Sequence, residues 1–223
     1  MELASIDRSL VSAVDPRSPA AEAYSALRTS VQFAALDRPL RSLLVTSAAQ
    51  DDDKSAVAAN LAISFAMGGS RVVLVDADLR HPRQHALFGL DGSRGLTSAL
   101  LGDGHGEVPL LETNVTNLRL LPTGPQPANP VDVLGSQRFA DLLGHLQASA
   151  DIVILDAPPA LAVADAALIA RRVDGVLLAY RASRTKRDHA AKAQALLAKV
   201  GANLLGAVLT NAKLDAGLRR YFG

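Results

Sequence analysis

The chain has no cysteine and no tryptophan. Without cysteine there is no disulfide scaffold, no thiolate-held zinc, no iron–sulfur centre and no thiol nucleophile. Aromatic residues supply only 4% of a 223-residue chain that is 49% hydrophobic, so its core must be built from Ala, Val, Leu and Ile. That apolar share belongs to a globular chain and not to a disordered one. No apolar run approaches the roughly 18 residues of a membrane span. The start, MELASIDRSL, lacks the basic-then-apolar order of a secretory signal. The expectation is a cytoplasmic protein, free or peripheral at the inner face of a membrane.

Charge is scarce in sum but uneven in place. The net value is +1, yet residues 1–170 hold 12 basic and 19 acidic residues while residues 171–223 hold 11 and 3. A basic C-terminal quarter suits a membrane surface, a partner or a nucleic acid, and a pair of solvated helix faces would look the same.

The pattern along the chain alternates strands and helices. Residues 1–16 read as irregular. Ser18-Pro19 reads as a cap and first turn opening a helix to about Asp37. Buried strands are predicted at Leu40–Ser47, Arg71–Asp76, Leu118–Leu121, Asp151–Asp156, Gly175–Tyr180 and Leu204–Thr210. Helices are predicted at Lys54–Met67, Val131–Gln147, Ala162–Arg172 and Thr185–Val200, with short helical pieces near His85 and over Gly95–Leu101. The strands are continuous apolar runs without alternation, as in a parallel sheet covered on both faces. The fold class expected is α/β, a doubly wound, mostly parallel sheet with helices on both faces. The organisation expected is an irregular segment 1–16, one domain 17–210 and a short basic tail 211–223 with one tyrosine.

Such sheets bind ligands at the carboxyl ends of their strands, and three candidate features sit there. LLVTSAAQDDDKSAVAANLA is a strand, a loop and a helix opening on Lys54-Ser55. That arrangement suits a phosphate-binding loop, with the Lys on phosphates, the Ser hydroxyl on Mg²⁺ and the helix N-terminus adding free N–H groups. VVLVDADLRHP ends a strand on Asp76 and Asp78, carboxylates able to activate a hydroxyl or to hold Mg²⁺ through water. VILDAPP ends another on Asp156, where a metal ligand is expected. A lone strand-end Asp is as easily a helix cap. His81 and His85 are four apart but lack further ligands for a metal, and His145 and His189 read as exposed helix residues.

These segments, with SPAAEAYSALRTSVQFA, LPTGPQPANPVDVLGSQRF, VDGVLLAYRASRT and LLGAVLTNA, resemble the bacterial tyrosine kinases of capsule and exopolysaccharide synthesis, the CpsD/CapB type. The resemblance runs along nearly the whole chain. It implies a P-loop NTPase of the MinD/ParA branch with ATP and Mg²⁺ as cofactors. It places Lys54 on the phosphates, Asp51, Asp52, Asp53 and Ala56 in the same nucleotide loop, and Asn211 at the adenine. It gives Asp76, Asp78 and Asp156 the catalytic carboxylate roles, with Ser55, Asp78 and Asp156 on the metal, and Tyr221 as the phosphorylated tail tyrosine. The partner implied is a membrane-spanning modulator of chain length, a polysaccharide co-polymerase, and not a nucleic acid.

The departures from the family pattern are local. The family loop reads Pro-Gly-Glu-Gly before Lys-Ser-Thr; here Gln50, Asp51, Asp52 and Asp53 precede Lys54, Ser55 and Ala56. Both glycines have become Asp, a residue that tolerates the left-handed backbone region better than most. A carboxylate about 4 Å from a phosphate oxygen costs roughly 4 kcal/mol at an effective dielectric near 20, about three orders of magnitude in affinity. Bound Mg²⁺ offsets part of that, and an acid of the loop could instead draw Lys54 into a pair. The first helix carries Glu22, Ser25 and Arg28 where the family has Glu-x-x-Arg-x-x-Arg for ring contacts. The expectation is therefore a degenerate regulatory member with impaired ATP binding. The alternatives are an active kinase that phosphorylates its own tail, and a MinD/ParA-like positioning ATPase, whose signature lysine would fall at Ala49.

Overall fold

The computed structural model describes residues 6–34, 39–50, 52–102 and 108–213. Asp51 and Tyr221 lie outside the described residues. Seven strands form one sheet in the order β3-β4-β2-β5-β1-β6-β7. These are β1 (Ser42–Ser47), β2 (Val72–Asp76), β3 (Leu111–Glu112), β4 (Leu118–Leu121), β5 (Ile152–Asp156), β6 (Gly175–Arg181) and β7 (Leu204–Thr210). All pairings are parallel except β3 with β4.

Successive residues of each central strand enter different cores. Leu43, Val45, Leu74 and Ile154 pack on one face with Leu10, Val31 and Phe65. Leu44, Val73, Val75 and Leu155 pack on the other with Phe139, Leu143 and Leu197. β1, β2 and β5 are buried on both faces, which is why they read as unbroken apolar runs; β7, expected to be buried because its sequence is equally apolar, lies at the end of the sheet and is half exposed among the described residues. The first face is covered by α1 (Val11–Val14), α2 (Pro19–Ala34), α3 (Lys54–Met67) and α4 (Gln84–Leu87). The second is covered by α5 (Leu96–Leu101), α6 (Pro130–Gly135), α7 (Gln137–Ser149), α8 (Asp165–Ala170) and α9 (Arg187–Lys199). α3 is buried on nearly every side, and its alanines let the sheet and α2 approach it closely.

Three expectations needed adjustment. The stretch 131–147 is two helices, because Ser136 turns extended (φ −69°, ψ 157°) and its hydroxyl accepts the Phe139 N–H at 3.2 Å. A side-chain cap there competes with helix continuation. The N-terminal segment is not wholly irregular: α1 docks on α3 through Asn60, which accepts the Ser12 N–H and donates to the Ser9 carbonyl, both at 2.9 Å. The antiparallel β3 is two residues long, too short for a periodic signal.

Candidate active site

β1 ends at Ser47, and the chain turns through residues 48–53 into α3. β2 and β5 are neighbours in register, so Asp76 stands beside Asp156, with Val45 of β1 on the far side of Asp156. Parallel strands end at one level, which brings three loops distant in sequence together.

Lys54 is the centre of the cluster. It is only 5% exposed, and its Nζ donates to Asp78 Oδ2 at 2.8 Å, Asp156 Oδ1 at 3.2 Å and Ser55 Oγ at 3.3 Å. Burial pulls the Lys54 pKa down, but the charges of Asp156 and Asp78 outweigh it and hold the group above the ordinary lysine value. Burial pushes Asp78 up, yet Lys54 and then the N–H groups of His81 and Arg80, at 3.0 and 3.3 Å, hold it below the usual carboxylate range. Asp76 behaves differently. It is fully buried, and its Oδ2 accepts the N–H groups of Arg83 and Gln84, both at 2.9 Å. Its Oδ1 has no partner among the described residues. Burial, then the neighbouring charge of Asp156, raises its pKa to about 7.

The two described acids of the loop, Asp52 and Asp53, bond elsewhere than to Lys54. Asp52 is buried; its Oδ2 accepts the Ala49 N–H at 2.8 Å, and its Oδ1 accepts the Thr185 hydroxyl. Asp53 adopts φ +58°, the left-handed conformation for which glycine is normally used. Its Oδ2 accepts Asn211 Nδ2 at 2.7 Å and Thr210 Oγ1 at 3.3 Å, and Arg181 stands 3.7 Å from its Oδ1. Among the described residues Lys54 therefore pairs with Asp78 and Asp156 and not with Asp52 or Asp53. Among the described residues no side chain caps α3, and the amides of a helix's first turn suit an anion.

A cavity of about 340 Å³ opens on this cluster, lined by Lys54, Ser55, Asp78, Arg80, His81 and Arg181 among others. A wider one of about 790 Å³ adjoins it across Asp53 and Arg181, with Tyr24, Leu27, Val208 and Asn211 in its walls. Mg²⁺ takes hard oxygen donors, usually one or two carboxylates with phosphates and water. Ser55, Asp78 and Asp156 fit that demand, since their oxygens already converge on the Lys54 ammonium. Among the described residues no three His, Cys, Asp or Glu form a cage of their own, and an ion shared with phosphates does not require one.

No protein-family model matches the chain. Individual relatives do. Tyrosine-protein kinase YwqD of Bacillus subtilis is 40% identical over 210 residues, 94% of this chain and 89% of the relative. The putative tyrosine-protein kinase CapB of Staphylococcus aureus is 32% identical over 93% of this chain and 91% of its own length. The chain belongs to the bacterial tyrosine-protein kinases. Among solved structures, the chimerical protein CapA2B2 superposes with a TM-score of 0.86 at 34% identity, covering 93% of this chain and 92% of its own. The kinase domain of Escherichia coli tyrosine kinase ETK follows at 0.85 and 31%, over 92% and 82%. The cell division ATPase MinD of Pyrococcus furiosus, at 22% identity, TM-score 0.66 and cover of 82% and 79%, shares the fold alone.

The fold thus gathers Lys54, Ser55, Asp76, Asp78 and Asp156 within one hydrogen-bonded cluster, with Asp53 and Asn211 bonded to each other at its rim. Ala56 lines both cavities. His81 is at the rim and His85 is on α4. Sequence reasoning passed over Gln84, Thr185, Asp165, Arg181 and the position of Arg80. Arg80 makes a two-pronged pair with the fully buried Asp165, at 2.9 and 3.1 Å, and so ties the turn after β2 to α8. A paired Arg and Asp separated by 85 residues leave no local signal. Arg28, expected in subunit contacts, donates to the Ser64 carbonyl at 2.7 Å and so caps the end of α3.

Proposed function

We propose that the chain is an ATP-dependent protein-tyrosine kinase of polysaccharide export, whose nucleotide loop tolerates Asp52 and Asp53 because both are held by partners inside the protein. The supporting observation is the pair of loop acids: Asp52 is spent on Ala49 and Thr185, and Asp53 on Asn211, Thr210 and Arg181. In this reading the amides at the start of α3 and Lys54 bind the phosphates. Ser55, Asp78 and Asp156 hold Mg²⁺, which when bound neutralises developing charge on the transferred group. Asp76 accepts the proton of the tyrosine hydroxyl: it has a free oxygen, and a pKa of about 7 suits a general base. Asn211 faces the base. The site works at the cytoplasmic side, beside a membrane-spanning chain-length modulator, with Tyr221 or a partner's tyrosine as acceptor. Self-association through the Glu22 side of α2 belongs to the same proposal, with Arg28 contributing less because Ser64 occupies it.

The test is calorimetry with ADP and Mg²⁺, followed by phosphotyrosine labelling in the presence of the modulator, with Lys54→Met as control. Micromolar affinity and Lys54-dependent labelling are expected. Absence of both overturns the reading. Impaired binding is the second reading, and one observation favours it: the Lys54 ammonium is already held by two buried carboxylates and must be drawn off them by a ligand. The double variant Asp52→Gly/Asp53→Gly separates the two. A rise of about 100-fold or more in ADP affinity marks acids that repel phosphate; an unchanged or lower affinity marks acids that serve the loop.

A further inference from the structure

Gln84 is the first residue of α4 and is fully buried. A glutamine sealed from water needs a reason, because each unmet polar group is costly. Its Nε2 donates to Asp156 Oδ2 at 2.8 Å and to the Ser55 carbonyl at 3.0 Å. Both partners are acceptors, so the amide must present its nitrogen to them; the flipped amide would set oxygen against oxygen. Its backbone N–H meanwhile donates to Asp76 Oδ2 at 2.9 Å. One residue thus touches β2, β5 and the start of α3 at their functional ends. Its Oε1, like Asp76 Oδ1, is buried without a partner among the described residues. A group retained in that condition is held for its donors, not for the comfort of its acceptor.

We infer that Gln84 is a positioning residue that fixes the Asp156 carboxylate, keeping Oδ2 occupied so that Oδ1 alone faces Lys54. The inference rests on the nucleotide-binding reading above for its consequence, though not for its geometry. A carboxylate with one oxygen fastened can turn only about that bond. Oδ1 then stays 3.2 Å from Lys54 Nζ, the direction from which phosphate and metal arrive. Without the amide, Oδ2 is left buried and unpaired, and the carboxylate rotates to share Lys54 through both oxygens. Residues that orient a metal ligand in this way typically change metal affinity by roughly 10–100-fold.

The test uses the full chain and Gln84→Leu, which keeps the volume and removes the donor, with Gln84→Met as replacement if that variant does not fold. The first readout is a crystal structure of the variant, which is independent of nucleotide. Asp156 in a changed rotamer supports the inference; Asp156 unmoved, with Oδ1 still on Lys54 alone, overturns it. The second is ADP affinity with Mg²⁺ and with EDTA. The gain in affinity conferred by Mg²⁺ is expected to shrink by roughly 10-fold or more, while affinity in EDTA holds. Equal losses in both conditions indicate general damage and overturn the inference. Should the wild-type chain bind no ADP, the nucleotide reading falls, and the Asp156 rotamer decides the role of Gln84 by itself.

Discussion

Lys54 and Asp76 are charged groups treated in opposite ways. The lysine is buried with two counter-charges, and removing one member of such a group leaves the others uncompensated. Lys54→Met is expected to lower stability by about 3 kcal/mol or more as well as abolish phosphate binding; an unchanged urea midpoint would refute the buried pairing. Asp76 is buried beside a like charge, and its folded pKa of about 7 lies above the ordinary 3.8. The sign follows: the fold holds this proton more tightly than the unfolded chain, so stability falls as pH rises from about 4 to about 7. Asp76→Asn escapes that cost. Its melting temperature should exceed wild type most at pH 8 and least near pH 4, and a pH-independent difference would contradict the assignment. The same variant should lose phosphate transfer while keeping ADP affinity, whereas Asp78→Asn should lose both. The types of these residues were readable from the sequence, as strand-end carboxylates beside a Lys-Ser pair. What could not be read was direction. Asp52 and Asp53 looked like charges aimed at a phosphate, and only the fold reveals Thr185 and Asn211 waiting for them.

The limits of α3, at Lys54 and Met67, agree with the apolar pattern, as do those of β4 and β7. The pattern failed where one side chain overruled periodicity. Ser136 divides α6 from α7 by capping the second helix. Ser136→Ala should cost about 1 kcal/mol, measured by urea denaturation; no loss would mean that the break is set by packing alone. The loop between β6 and α9 is a second case, because Thr185 bonds to Asp52 across 133 residues. Thr185→Val leaves a buried carboxylate oxygen without a donor. ADP affinity should drop about 10-fold, and an unaltered affinity would show that the loop stands without this clamp.

Over the whole molecule, the order β3-β4-β2-β5-β1-β6-β7 puts β1 between β5 and β6, so the nucleotide loop springs from the middle of the sheet. Two-sided burial made the parallel architecture legible in advance, since unbroken runs of Val, Leu and Ile have few other uses in a chain of this length. A ligand that binds this folded state alone stabilises it by mass action. At 100 times its dissociation constant, ADP with Mg²⁺ should add about 2.7 kcal/mol, visible as a shift in melting temperature that Lys54→Met abolishes. No helix of the described residues is long and apolar enough to cross a membrane. Asp53 grips Thr210 and Asn211, the residues from which the chain runs on toward Lys213 and its only late tyrosine. A ligand that reorders the turn carrying Asp53 is therefore expected to be felt at Thr210 and Asn211, where the outermost parallel strand gives out.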